Sequence, residues 1–116
     1  MPGLSIHVVD VSRGLVAQGL RVEIARLAPS HATICAGLID ERGLLDEPKL
    51  SARFEAGVFE ARFHLGAFYR AHGVMLPDPA FLEIVHYHFG IADPDAHYHL
   101  PLKMTPWGYS CFRGGA

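Results

Sequence analysis

Cysteine is scarce in this chain of 116 residues: Cys35 and Cys111 are the only two. Two cysteines make no disulfide framework, and they are expected to be free thiols in a reducing compartment. Charge is low as well, at 19% of residues with a net charge of −2. That balance gives no general attraction to nucleic acid or to an anionic membrane surface. No apolar run approaches the roughly 18 residues of a membrane span, and no basic segment leading into an apolar one opens the chain. The expectation is a soluble, cytoplasmic protein. Also missing are a Gly-rich phosphate loop, a Gly-x-Ser-x-Gly elbow and a Cys-x-x-Cys pair, which removes three familiar kinds of site. There is no linker, internal repeat or low-complexity segment, so residues 1–116 read as one domain.

Half of the residues are hydrophobic, which excludes disorder for the chain as a whole. Their spacing is that of strands. Leu4, Ile6 and Val8 alternate with Ser5, His7 and Val9 in a first strand near 4–11. Ser12-Arg13-Gly14 makes a turn, and strands follow at 20–27 and 31–39, the latter closed by the turn Asp40-Glu41-Arg42-Gly43. A short edge strand is expected within 44–52, and another strand at 58–65 with Phe59, Ala61, Phe63 and Leu65 on one face. Residues 67–72, between Gly66 and Gly73, hold the one plausible helix. Strands at 84–91 and 97–104 and a last short one at 109–113 complete the count. Seven or eight short strands at ten-residue spacing, with one helical turn, predict an all-β fold: a two-sheet antiparallel β-sandwich.

Histidine is abundant, eight residues against ten Lys plus Arg, and imidazole titrates near neutral pH. His7 lies in the first strand between apolar neighbours. His97 and His99 share a strand face, as do His86 and His88, because strand side chains alternate with period two. A His-x-His pair can serve zinc, but no Asp or Glu stands at a diagnostic spacing for a third ligand. The default for His86 and His88 is a polar strand face, with metal or partner binding as the sharper alternative. Cys111, in an apolar strand, reads as buried more readily than as a nucleophile. What remains is acid–base work by histidine on a bound water, with Arg113 as a charged hydrogen-bond donor: a hydrolase or tautomerase pattern.

Three stretches then resemble one family. Leu4-Ser5-Ile6-His7-Val8-Val9-Asp10 with Arg13-Gly14 is similar to the opening motif of the transthyretin-like 5-hydroxyisourate hydrolases. Ala92-Asp93-Pro94-Asp95-Ala96-His97-Tyr98-His99-Leu100-Pro101-Leu102 resembles the family's approach to its second catalytic histidine. Pro106-Trp107-Gly108-Tyr109-Ser110 leads, as in the family, into a terminal tetrapeptide. The resemblance implies a transthyretin-like sandwich of two four-stranded sheets, and a homotetramer built as a dimer of dimers with active sites between dimers. It implies hydrolysis of a cyclic amide bond in 5-hydroxyisourate, the product of urate oxidation, with no cofactor and no metal. By position, His7 and His99 are the catalytic histidines and Arg113 a substrate contact, with His97 beside them.

The chain also departs from the pattern. The family ends Tyr-Arg-Gly-Ser, whereas this chain reads Phe112-Arg113-Gly114-Gly115 with Ala116 beyond. An arginine expected after the third strand is Leu44 here, and Arg42 lies on the other side of Gly43. A buried hydrogen bond to a charged group contributes about 1.5–3 kcal/mol, and substrate discrimination rests on such groups being paired. A pocket bordered by Leu44, Phe112 and Gly115 is therefore expected to be roomier and less polar. Three readings follow: 5-hydroxyisourate itself, a related ring such as an N-alkylated one, or a non-catalytic small-molecule binder. Retention of both His7 and His99 favours the first two.

Overall fold

The alternation read from the sequence is realised as two four-stranded sheets packed face to face. The computed structural model describes residues 2–115; Ala116, singled out above as an extra residue, lies outside them. In chain order the elements are β1 (Gly3–Asp10), β2 (Leu15–Val16), β3 (Arg21–Ala28), β4 (Ala32–Leu38), a 3-10 helix (Pro48–Ser51), β5 (Gly57–Phe63), α1 (Leu65–Ala71), β6 (Val85–Ile91), β7 (His97–Thr105) and β8 (Gly108–Cys111). One sheet has the order β2-β1-β7-β8 and the other β4-β3-β5-β6. Among the described residues no helix is long and apolar enough to cross a membrane.

Period-two burial builds the core. Leu4, Ile6 and Val8 of β1 point inward, as do Tyr98, Leu100, Leu102 and Met104 of β7. They meet Val22 and Ile24 of β3 and Phe59, Ala61 and Phe63 of β5 from the opposite sheet. Each large apolar side chain buried in this way contributes about 1.5–3 kcal/mol. Most pairings are antiparallel, but β1 runs parallel to β7, with Ser5 opposite His99 and His7 opposite Pro101. Parallel neighbours require a long connection rather than a hairpin, and here everything from β2 to β6 forms it.

Two local readings need correction. The edge strand expected within 44–52 does not form: only the bridges His7–Leu44 and Ile39–Leu45 remain, followed by the 3-10 helix. Pro48 has no N–H to give a ladder, and the Glu47 carboxylate instead accepts from the Lys49 amide at 3.2 Å, capping a helical turn. The helix begins two residues earlier than expected, at Leu65. Gly66 lies within it, close against the Glu83 carboxylate, and its N–H donates to the Glu83 carbonyl at 2.9 Å. Gly73, with φ of +77°, ends the turn that follows.

The helix is tied to the end of β1 by a wholly buried carboxylate, Asp10. Its Oδ1 accepts from the Tyr69 hydroxyl at 2.7 Å and the Ser12 hydroxyl at 2.6 Å, while Oδ2 accepts from Arg13 Nε at 2.6 Å. Burial alone would raise the Asp10 pKa, but these three donors outweigh it and hold the carboxyl below its usual value. The depressed folded value makes this contribution present above the unfolded carboxyl pKa of about 3.9 and lost as pH falls through the folded one. Tyr69→Phe should therefore cost about 1–3 kcal/mol in urea unfolding at neutral pH, the range for one buried acceptor losing a donor. Asp10→Ala should cost more, about 3–5 kcal/mol, since it strands Arg13 and the buried hydroxyl together.

Candidate active site

The core-facing residues of β1 and β7 leave the alternate ones on the outer face of their sheet. There the parallel register brings Ser5, His7, His97 and His99 together. Ser5 Oγ is 2.8 Å from His97 Nε2 and 2.7 Å from His99 Nδ1. His7 sits one pleat further along β1, diagonal to His99, and its Nε2 lies 3.1 Å from the Arg42 carbonyl. A carbonyl only accepts, so the Arg42 contact fixes a proton on Nε2 and leaves Nδ1 as the variable nitrogen of His7.

Two glycines let the backbone press against these rings. Gly43 has φ of +84°, and a Cβ there would stand 2.6 Å from His7 Nε2 and 2.8 Å from Val16 Cγ1. Its left-handed turn is held by Asp40, whose Oδ1 accepts from the Arg42 and Leu44 amides at 2.8 and 3.1 Å. At the other end of the site, Gly114 N–H donates to the His99 carbonyl at 2.7 Å. A Cβ at Gly114 would be 3.0 Å from His99 Cδ2 and 3.2 Å from Pro101. The segment after β8 is thus laid along His99 by backbone hydrogen bonding at Gly114, with glycine where the ring comes closest.

Electrostatics in the cluster disfavour positive charge on His99. Burial lowers its pKa from 6.5, and the nearby His7 and His97 rings lower it further. A neutral imidazole at neutral pH can accept a proton, which is the requirement for a general base. A cavity of about 240 Å³ runs from Ser5 past Arg42 and Leu44 to Glu47, Leu50 and Ser51; it meets the cluster through Ser5, and none of the three histidines lines it.

The expected site residues divide into those gathered here and those placed elsewhere. His7, His97 and His99 come together, with Leu44 lining the adjoining cavity. Arg42 also borders that cavity, but its guanidinium is engaged by Asp40 at 2.9 Å. Arg113 lies with its guanidinium carbon 4.0 Å from the centre of the Tyr98 ring, and Nη2 donates to the His97 carbonyl at 3.3 Å. Among the described residues it makes no hydrogen bond to His7, Ser5 or His99. Phe112 is exposed beyond β8, and a Cβ at Gly115 would meet open space.

Ser5 was not singled out from sequence; the available signal was that strand alternation puts it on the face of His7. His86 and His88 lie on the outer face of the other sheet, 3.4 and 2.8 Å from one oxygen of Glu60. No group of three or more His, Cys, Asp or Glu among the described residues is placed to hold a metal ion. Both cysteines are free, and burial pushes each thiol up to about 11, so neither is a thiolate at neutral pH.

Comparison with known proteins finds relatives over nearly the whole chain. The family model described as Transthyretin: HIUase/Transthyretin family matches residues 4–114. A 5-hydroxyisourate hydrolase 2 from Rhizobium meliloti (strain 1021) is 44% identical over 113 residues, covering 96% of this chain and 94% of that protein. The solved structure of Klebsiella pneumoniae 5-hydroxyisourate hydrolase superposes with a TM-score of 0.83 at 26% identity, over 99% of this chain and 100% of that one. The crystal structure of an (S)-allantoin synthase superposes with a TM-score of 0.91 at 31% identity. It covers 97% of this chain but 43% of its own, so this chain spans less than half of that longer protein.

Two measurements check the site geometry without reference to any reaction. Gly43→Ala should destabilise the fold by about 1–3 kcal/mol, the range for a non-glycine residue forced into such backbone, and should shift the His7 ring resonances. In an NMR titration His99 should lose its proton below the ordinary 6.5, and His7→Asn should move that midpoint upward. A His99 midpoint at or above the ordinary value would contradict the burial and crowding described.

Proposed function

We infer the activity from one premise: the chain belongs to the HIUase/Transthyretin family. It is a hydrolase that opens the ring of 5-hydroxyisourate at a cyclic amide bond in purine catabolism. The observation that carries this reading is the pairing of a neutral, base-competent His99 with His7 on one open sheet face. The named relatives support the substrate.

In the proposed mechanism His99 takes a proton from water as the water oxygen attacks the amide carbonyl. The tetrahedral intermediate then collapses with cleavage of the carbon–nitrogen bond, and the departing nitrogen receives a proton. That proton is the one His99 took from water: His7 Nδ1, bare because the Nε2 proton is held by the Arg42 carbonyl, accepts it from His99 and passes it to the nitrogen, so both rings end neutral. Each positioned acid or base is worth about 10²–10⁴-fold in rate. Arg113 on the Tyr98 ring orients substrate only if its side chain turns from that ring, so its role is ranked below those of the histidines.

Assembly belongs to the same proposal. β8 is an outer strand of its sheet opposite β2, and β6 an outer strand of the other opposite β4, each with one edge unpaired among the described residues. Tyr109 on β8 and Phe112 just beyond it are exposed. Unpaired edges of this kind are templates for pairing with another copy, which supports the homotetramer implied by family membership. Light scattering should then report about four times the 12.7 kDa chain mass. A monomer would remove this part of the reading.

Leu44 favours a second substrate reading. It lines the cavity where a charged donor was expected, and the nearby Arg42 guanidinium is occupied by Asp40. An apolar wall accommodates an N-alkyl group better than a ring nitrogen in need of a partner.

The direct test generates 5-hydroxyisourate in place from urate and follows its ultraviolet decay, with N-methylated urates as parallel substrates. The protein should accelerate the decay, and His7→Ala or His99→Ala should each lower kcat by about 10²–10⁴-fold. No acceleration on any of these rings would leave only the small-molecule-binder reading. The pH profile adds a sign. His99 acts as a base only when neutral, and its lowered pKa extends that state toward acid. The acid limb of kcat/KM should therefore fall below about 6.5, the ordinary imidazole value. The charged or titratable groups facing His99 are His7 from β1 and His97 from β7, and both push in that direction.

A further inference from the structure

Ser5 lies between two imidazoles, and a hydroxyl has a single proton to share between them. Its oxygen is 2.8 Å from His97 Nε2 and 2.7 Å from His99 Nδ1. Three arrangements satisfy both contacts when the rings are neutral. In one, Ser5 donates to His97 Nε2 and accepts from a proton on His99 Nδ1. In another, both rings donate to the two lone pairs of the Ser5 oxygen, and His99 again carries its proton on Nδ1. In the third, His97 Nε2 donates to Ser5, which donates to His99 Nδ1, and the His99 proton sits on Nε2. The third differs from the others in the one respect that matters for chemistry: whether His99 Nε2 carries a lone pair or a proton.

The far end of the chain of contacts discriminates between them. His97 Nδ1 is 3.5 Å from the carbonyl oxygen of Pro2, which can only accept. A proton on that Nδ1 makes a long hydrogen bond, whereas a lone pair there would face the lone pairs of the carbonyl. With its proton on Nδ1, neutral His97 has a bare Nε2 and must accept from Ser5. Ser5 must then accept from His99 Nδ1–H, and His99 Nε2 is left bare. That nitrogen has no hydrogen-bond partner among the described residues and is not among the buried polar atoms left unsatisfied, so solvent reaches it.

We propose that Ser5 and His97 are positioning residues that hold His99 in its Nδ1–H tautomer, aiming the lone pair of Nε2 at the reacting water. The proposal rests on the reading of His99 as the base, and it adds what makes His99 one. Isolated neutral imidazoles favour the opposite tautomer, so the bias needs a structural cause, and second partners of this kind set tautomers elsewhere. His97 is thereby a residue acting through Ser5, with both ring nitrogens engaged inside the chain, rather than a contact to substrate.

Long-range proton–nitrogen NMR on nitrogen-15-labelled wild-type protein, at mildly alkaline pH, reads the tautomer of each ring without any substrate. The expected result is a protonated Nδ1 and a bare Nε2 in both His97 and His99. A proton on His99 Nε2 overturns the proposal. Ser5→Ala should return His99 toward the Nε2–H form and lower kcat by about 10–10³-fold with little change in KM, within the range of a misplaced general base. Ser5→Thr keeps the hydroxyl and should restore both the tautomer and kcat. His97→Leu should weaken the bias less than Ser5→Ala, because Ser5 can still accept from His99. An unchanged tautomer or unchanged kcat in Ser5→Ala also overturns the proposal. If Ser5→Ala fails to fold, the wild-type tautomer and Ser5→Thr still decide. The Nδ1–H tautomer together with no hydrolysis of any isourate ring would overturn the activity while leaving the hydrogen-bonded chain in place.

Discussion

The register between β1 and β7 is the constraint on which both the core and the site depend, because each strand spends one face on each of them. With Ser5 opposite His99 and Ile6 opposite Leu100, three apolar residues of β1 and four of β7 enter the core together. The same register lines up the histidines and Ser5 outside. A slip of one residue on either strand would turn its buried face outward and disperse the cluster at once. Core packing therefore fixes the site geometry at no additional cost in stability, since the alternative registers are excluded by the burial of Leu4, Ile6 and Val8. This arrangement also explains why the contact can span so much sequence. Ser5 and His99 are 94 residues apart, and because loop-closure entropy grows only logarithmically with length, the burial of a few core side chains is enough to offset it.

Around that frame, backbone packs closely against both rings, in addition to the Ser5 hydroxyl on His99. Gly43 puts a carbonyl-bearing turn against His7, and Gly114 puts the terminal segment against His99. Backbone groups have few rotameric alternatives, so contacts from them restrict a ring more firmly than a long side chain would. The Asp40 carboxylate braces the first turn through two amides and binds the Arg42 guanidinium with its other oxygen. Arg42 consequently serves the site through its carbonyl, while its charge is spent on Asp40.

Much of this was legible in the sequence, and the exceptions share a physical reason. The sandwich, the strand faces and the gathering of His7 with His99 follow from alternation and from family resemblance. Alternation is a local signal, so it could not show that β1 and β7 run parallel, which is a property of chain routing. It also overrode Pro48 and Glu47 in the segment after β4, where capping and a missing amide N–H produce a 3-10 turn. Ser5 escaped notice because serine on a strand face is chemically ordinary until two imidazoles are found on it. Arg113 was assigned to substrate by its place in a motif. A motif fixes the backbone position of an arginine but leaves its long side chain free to choose the Tyr98 ring.

Among the described residues, carboxylates meet three histidines outside the site and none within it, while His72 meets the Phe68 carbonyl. His86 and His88 share Glu60, and His64 is bound to Glu23. For Glu60, burial raises the carboxyl pKa but the His88 and His86 bonds outweigh it; for Glu23, the His64 bond is the largest influence, and both end lowered. A carboxylate beside an imidazole favours its charged form. His7, His97 and His99 instead meet a hydroxyl, two carbonyls and one another. Hydroxyls and carbonyls orient a ring without supplying a full negative charge, so they can set a tautomer while leaving the imidazole neutral. A carboxylate in place of Ser5 would orient His99 equally well, but it would raise the pKa that burial and the neighbouring rings have lowered. A base that must stay neutral on a crowded face is thus better served by serine than by the aspartate familiar from histidine-dependent hydrolases.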